Sequence, residues 1–165
     1  SFEDMENTRP LIKEANEEYQ RIIGRGYEVV ESVNTDDADI VLVTSGAMTS
    51  TARVTIQSLR EKGVKAGLLK MKLLRPFPTR EVQEILKNTR KIAVLDRNIS
   101  LGKGGIWCQE LKAALYPLEN RPIITGYIAG ICGADVSPDM IENMVVKALE
   151  RERSDDLPIW VRRDQ

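Results

Sequence analysis

The unbroken apolar run Ile40-Val41-Leu42-Val43 constrains this chain more than any other feature. A strand that is apolar on both faces has to be covered on both, which is the condition of a central strand in a parallel sheet. The acidic turn Asp36-Asp37-Ala38-Asp39 leads into it, and Thr44-Ser45-Gly46 turns the chain out of it. A helix is predicted from about Ala47 to Lys62, with Met48, Ala52, Ile56 and Leu59 on its inner stripe and Gly63 as a left-handed stop. Val64 to Met71 reads as the next strand. Two parallel strands around a helix make a right-handed crossover.

The same alternation continues on both sides. Upstream, Leu11, Ile12, Ala15, Tyr19, Ile22 and Ile23 recur at helical spacing, with Thr8 as the expected N-cap and Gly24 and Gly26 as the stop. Tyr27 to Val33 reads as a short edge strand. Downstream, Arg75-Pro76-Phe77-Pro78 breaks the chain, and Thr79 is the expected cap of a short helix bearing Val82, Ile85 and Leu86. Lys91 to Asp96 is a buried strand. Leu101-Gly102-Lys103-Gly104-Gly105 opens a helix through Tyr116, and Pro122 to Ile128 is the last strand expected. Ser137 caps a final helix with Pro138 at its first position. Strands alternating with helices predict a three-layer α/β/α sandwich around a mostly parallel sheet.

At 165 residues the chain suits one domain with a full core. Its expected parts are a helical region over 1–26, an α/β domain over 27–150, and a charged end with an apolar tail over 151–165. The opening Ser1-Phe2-Glu3-Asp4 lacks an initiator methionine, which fits a processed or cloned terminus, or a domain cut from a longer chain. A net charge of −1 gives no field to attract nucleic acid or an anionic membrane, and the cytoplasm is the expected location.

The sequence contains no histidine, which removes Ser–His and Cys–His nucleophile pairs and histidine acid–base catalysis. Its two cysteines, Cys108 and Cys132, are too few for a four-cysteine zinc or iron–sulfur site. Cys132, between glycines, reads as a small buried thiol.

Three strand-end loops remain as candidates, because ligands of open α/β sheets bind there. Thr44-Ser45-Gly46 could hold a phosphate but lacks the nucleotide-binding fingerprints, so helix capping is expected of it. Gly102-Lys103-Gly104-Gly105 has no Ser or Thr after its lysine, and tight turning with close packing is expected there. Asp96-Arg97-Asn98 reads either as a network tying loops together or as a contact to another domain. Trp160 reads as an anchor folding back on the domain or as a hot spot for a partner. No residue is assigned to catalysis, to a cofactor or to a metal; Arg75, Asp96, Arg97, Asn98 and Trp160 are the candidate inter-domain contacts.

Several segments together resemble one family. Ala38 to Ala47 is similar to the opening of a transketolase C-terminal-like domain. Leu74-Arg75-Pro76-Phe77-Pro78, Val94 to Ser100, Lys112 to Tyr116 and Gly130-x-x-Gly133-x-Asp135-Val136 resemble the second domain of 2-oxoacid:ferredoxin oxidoreductases, as in the alpha subunit of pyruvate synthase. Ala134 departs from the arginine often found in that family.

The resemblance implies a five-stranded sheet whose first strand is antiparallel, and a linker helix over Thr8 to Tyr27. It also implies a non-catalytic brace within a holoenzyme that converts pyruvate to acetyl-CoA, or the reverse. That holoenzyme uses thiamine diphosphate, magnesium, coenzyme A, iron–sulfur clusters and ferredoxin, with a thiamine-binding domain upstream and other subunits as partners. The alternatives are the corresponding domain of a transketolase or 2-oxoacid dehydrogenase, and a stand-alone nucleotide-binding protein.

Overall fold

The structure is a computed structural model that describes residues 1–162. It opens with two helices, α1 (Phe2–Glu6) and α2 (Thr8–Ile23). Thr8 does not cap α2 as expected. The chain stays helical through Asn7 (φ −65°), so no extended capping position arises, and the Thr8 hydroxyl donates to the Met5 carbonyl at 2.6 Å. Ser1 and Asp4 form the capping box instead, one helix earlier. Gly24 (φ 80°) ends α2. Neither helix buries a residue, and Phe2, Leu11, Ile22 and Ile23 all stand exposed.

Six strands follow: β1 (Val30–Val33), β2 (Ile40–Ser45), β3 (Ala66–Met71), β4 (Lys91–Asp96), β5 (Ile123–Ile128) and β6 (Ile159–Trp160). Their order is β1-β3-β2-β4-β5-β6, with β1 antiparallel to β3 and every other pair parallel. The sheet therefore has one strand more than the five expected, because the apolar tail lays Ile159 beside Tyr127 and Trp160 beside Ile128. β1 is shorter than its apolar run, since Tyr27 leaves the sheet and its ring lies 5.4 Å from the Lys72 ammonium.

Four further helices cover the two faces. On one side α3 (Met48–Glu61) and α6 (Pro138–Leu149) press Ile56, Leu59, Met144 and Val145 onto Leu42, Leu68, Leu95 and Tyr127. On the other, α4 (Thr79–Leu86) and α5 (Ile106–Leu115) press Val82, Leu86, Leu111 and Leu115 onto Val41, Val43, Ile92 and Val94. Each large aliphatic side chain enclosed this way contributes about 1.5–3 kcal/mol. Ser137 caps α6 by accepting from the Met140 N–H, with Pro138 at the first helical position, as the sequence predicts. Thr79 begins α4 without capping it, because Pro78 holds the capping slot.

Glu31 fastens the β1 edge. Its carboxylate accepts from Arg53 and lies 2.9 Å from the Lys72 ammonium. The Arg53 hydrogen bond, and then that of Lys72, hold its carboxyl down at about 2, against an ordinary 4.5. A lowered folded pKa contributes stability above the unfolded value, and that stability disappears as pH falls from 4.5 toward 2. The pair is a third exposed, so solvent screening reduces it to about 1 kcal/mol. Urea denaturation of Glu31→Gln should show a loss of about 1 kcal/mol at pH 7 and little difference from the parent near pH 2. Equal losses at both pH values would exclude this account.

Candidate functional site

The chain leaves β2 toward β3 and later crosses back to β4, so the sheet reverses its winding between β2 and β4. A crevice at such a point is where open α/β sheets take ligands. Here the chain's own side chains occupy it. Thr44, at the end of β2, donates through its hydroxyl to the Leu95 carbonyl at 3.1 Å, and the Trp107 indole N–H of α5 donates to Ser45 Oγ at 2.8 Å. Both hydroxyls of the Thr44-Ser45-Gly46 turn thus serve neighbouring elements. The expected capping of α3 is absent, because Ala47 holds that slot and no side chain caps it.

Asp96, the last residue of β4, is fully buried. Its Oδ1 accepts from the Trp107 backbone N–H at 3.0 Å and from Asn98 Nδ2 at 2.9 Å, and its Oδ2 accepts from the Cys108 N–H at 3.1 Å. Asn98 Oδ1 accepts from the Ile106 N–H at 2.8 Å. The first backbone donors of α5 are therefore matched by side chains from the preceding strand end, not by its own N-cap Gly105. A carboxylate there also meets the positive end of the helix dipole. Burial pushes the Asp96 carboxyl up, while the Cys108 and Trp107 N–H groups and Asn98 pull it back.

Gly105 is required by this arrangement. A Cβ at that position would lie 2.1 Å from Asp96 Oδ2. The preceding loop folds on itself, Ser100 N–H donating to the Gly104 carbonyl at 2.7 Å, with Gly102 and Gly104 at positive φ. Tight turning and close approach account for the glycines, as the sequence suggests.

The five candidate contacts do not form one cluster. Asp96 and Asn98 belong to the α5 network, and Asp96 has no surface with which to touch a neighbour. Arg97 is exposed and donates through Nε to the Gly130 carbonyl at 3.1 Å, bridging to the loop after β5. Arg75 reaches Glu110 of α5 at 2.6 Å. Trp160 sits on β6 at the far edge and is 45% exposed.

Of the two thiols, Cys108 is buried, which pushes it up to about 11 and keeps it protonated. Cys132 is not the buried thiol expected. It is exposed, at φ 54° in a short turn (Ile131–Gly133) whose left-handed backbone directs it away from the core. The Trp107–Ser45 and Gly105–Asp96 contacts were not anticipated. Their one trace in the sequence is a glycine pair opening a helix that has no capping side chain.

Comparison with known proteins agrees with this geometry. Residues 38–141 match the profile of the family described as pyruvate:ferredoxin oxidoreductase core domain II. The chain belongs to this family. It is 40% identical over 150 residues to the pyruvate synthase subunit PorA of Methanothermobacter thermautotrophicus, covering 91% of this chain and 38% of that protein. It is also 40% identical over 131 residues to the ketoisovalerate oxidoreductase subunit VorA of Pyrococcus abyssi, covering 79% of this chain and 33% of that protein. Core domain II here thus spans under two fifths of the length of these curated relatives.

Among solved structures, a split-gene transketolase superposes with a TM-score of 0.59 at 19% identity, covering 78% of this chain and 44% of that one. The 2-oxoglutarate:ferredoxin oxidoreductase of Magnetococcus marinus gives 0.56 at 22% identity, covering 79% of this chain and 21% of that one. These likenesses establish the transketolase-like α/β fold.

Thiamine diphosphate with magnesium does not fit the residues of this core domain II. The one fully buried carboxylate among the described residues, Asp96, already accepts three N–H donors. Among the described residues no group of three or more His, Cys, Asp or Glu is placed to hold a metal ion.

Proposed function

We propose that this chain is the bracing domain of the alpha subunit of a 2-oxoacid:ferredoxin oxidoreductase, and that it performs no chemistry itself. The observation that carries this reading is the strand-end network: the polar residues at the winding reversal are turned inward to cap α5 and join β2 to α5. A reactive site needs groups with unmet capacity facing substrate. Asp96 is fully buried and already accepts three of the chain's own donors, and the Cys108 thiol is protonated at neutral pH.

In this reading the holoenzyme oxidatively decarboxylates pyruvate to acetyl-CoA and reduces ferredoxin, or runs in reverse in the cytoplasm. Thiamine diphosphate, magnesium, coenzyme A and iron–sulfur clusters are held elsewhere in it. The helical region over 1–26 is the linker from a thiamine-binding domain, and the exposed apolar side chains of α1 and α2 support that, since an amphipathic arm needs a covering partner. Arg75, Arg97 and Trp160 make the outward contacts with neighbouring domains or subunits, and Asp96 and Asn98 support them from behind. The similarity to both PorA and VorA favours a 2-oxoacid as substrate, with pyruvate preferred on the number of PorA relatives matched.

Isothermal titration of the chain with thiamine diphosphate and magnesium should give no binding heat; micromolar affinity would refute a bracing role. Trp160→Ala should weaken co-purification with partner subunits by roughly tenfold or more, as expected for an exposed aromatic anchor. The same change should alter thermal stability only slightly. A wild-type level of assembly removes Trp160 from the interface.

A further inference from the structure

α2 is tied to the β1 margin of the sheet by one side only. The Arg9 guanidinium donates to the Phe77 carbonyl at 2.7 Å, the Tyr27 backbone N–H donates to Asn16 Oδ1, and the Tyr19 and Tyr27 rings lie 5.5 Å apart. These contacts leave the stripe of Leu11, Ala15 and Ile22 in solvent, with Leu11 62% and Ile22 66% exposed. An uncovered apolar stripe of this kind marks a contact surface.

The opposite margin has a groove of about 600 Å³ between α6 and β6. On this face α3 packs on β2 and β3 and α6 on β2 and β4, which leaves β6 beyond the last helix. Met140, Met144, Ile159 and Val161 give the groove an apolar lining. Its two ends carry opposite charges: Asp135 and Asp139 at the start of α6, Lys147 and Arg151 at its end. Among the described residues Asp135, Asp139 and Lys147 enter no ion pair, and Arg151 meets Asp155 at 3.5 Å. The chain's own α2 does not reach this groove. Five strand spacings, about 24 Å, separate β1 from β6, and the link over 24–29 extends to about 20 Å at most.

We propose that α2 of a second copy of this chain fills the groove, antiparallel to α6, so that two copies exchange arms. The lengths agree: the stripe from Leu11 to Ile22 spans about 16 Å, and the groove from Asp139 to Arg151 about 18 Å. The charges set the direction. Glu14 and Arg21 stand on one flank of the stripe, two turns and about 10 Å apart, against about 12 Å between Asp139 and Lys147. Antiparallel seating brings Arg21 to Asp135 and Asp139, and Glu14 to Lys147. Parallel seating would set Glu14 against Asp139 and Arg21 against Lys147. The antiparallel arrangement also opposes the two helix dipoles. Leu11 and Ile22 then meet Met140, Met144 and Ile159. This pairing uses only surfaces of the chain itself and does not depend on the bracing role.

Sedimentation equilibrium of the full chain over a concentration series tests this. The mass should rise to that of two copies. Ile22→Asp should weaken dimerisation by roughly a hundredfold, since it removes a buried aliphatic side chain from both arms. Lys147→Glu and Glu14→Lys should each weaken it by roughly tenfold, because each sets like charges together. Combining the two exchanges the charges and should restore association to within about threefold of the parent. All three positions are exposed, so circular dichroism and melting of the variants should match the parent. A monomer at every concentration up to about 1 mM, a dimer indifferent to Ile22→Asp, or a double variant as weak as both single losses combined would overturn the proposal.

Discussion

Gly105→Ala should destabilise the domain by about 3–5 kcal/mol, the upper range for overpacking combined with broken buried hydrogen bonds. The new Cβ would sit 2.1 Å from Asp96 Oδ2, 2.3 Å from its Cγ and 2.5 Å from its Cβ. The last of these is anchored to the backbone of β4, between two other buried strands, and cannot rotate away. Gly105 itself has φ −67° and ψ 139°, which alanine adopts freely, so the whole effect comes from the clash.

Gly102→Ala supplies the control. It has φ 75° and open space around its Cβ position, so it should cost only about 1 kcal/mol, from backbone conformation alone. Urea midpoints of the two variants separate the explanations. Equal losses would remove close approach as the reason for Gly105.

Asp96→Ala should cost a further large amount, about 3–5 kcal/mol, because three donors lose their acceptor together. Two of them are α5 backbone groups that cannot turn toward water without unwinding the first turn. Asp96→Asn keeps the shape but sets an NH2 against an N–H, and should lose about 1–3 kcal/mol. Hydrogen exchange gives the local readout: Trp107 and Cys108 amides should lose protection first in both variants, ahead of β2 and β3. Uniform loss across the sheet would mean that Asp96 does not act through α5. Since the Gly105 clash includes Asp96 Cβ, the double change Asp96→Ala with Gly105→Ala should recover only part of the single losses.

Much of the architecture is legible because apolar periodicity reports burial. Ile40 to Val43 lies at the centre of the sheet, Ser137-Pro138 starts α6, and Gly63 stands just past the end of α3 with φ 85°. Capping was legible only where the chain is extended before its helix. Thr8 and Thr79 have the right chemistry but sit one place inside, behind Asn7 already in helical conformation and behind Pro78. The sixth strand is two residues long, too short for alternation to show. Asp96 stands out as a charge at the end of a buried strand, but besides Asn98 its partners lie 11 and 12 residues away on a helix, a spacing that no local pattern encodes. Cys132 was misread because glycine neighbours suggest close packing as readily as they suggest an exposed left-handed turn.

The two margins of the sheet differ from its middle in a way that bears on assembly. β1 and β6 are four and two residues long, whereas each strand between them has six. Short outer strands give a neighbouring chain little backbone to continue. In the bracing role proposed for this chain, an adjoining domain would bind through side chains, Arg97 and Trp160 being the contacts proposed for it, in preference to a shared ladder. Contacts of that kind are selective, and they can be rewritten residue by residue without disturbing the sheet. Under the proposed bracing role, one scaffold could in this way be fitted into oxidoreductases with different neighbours.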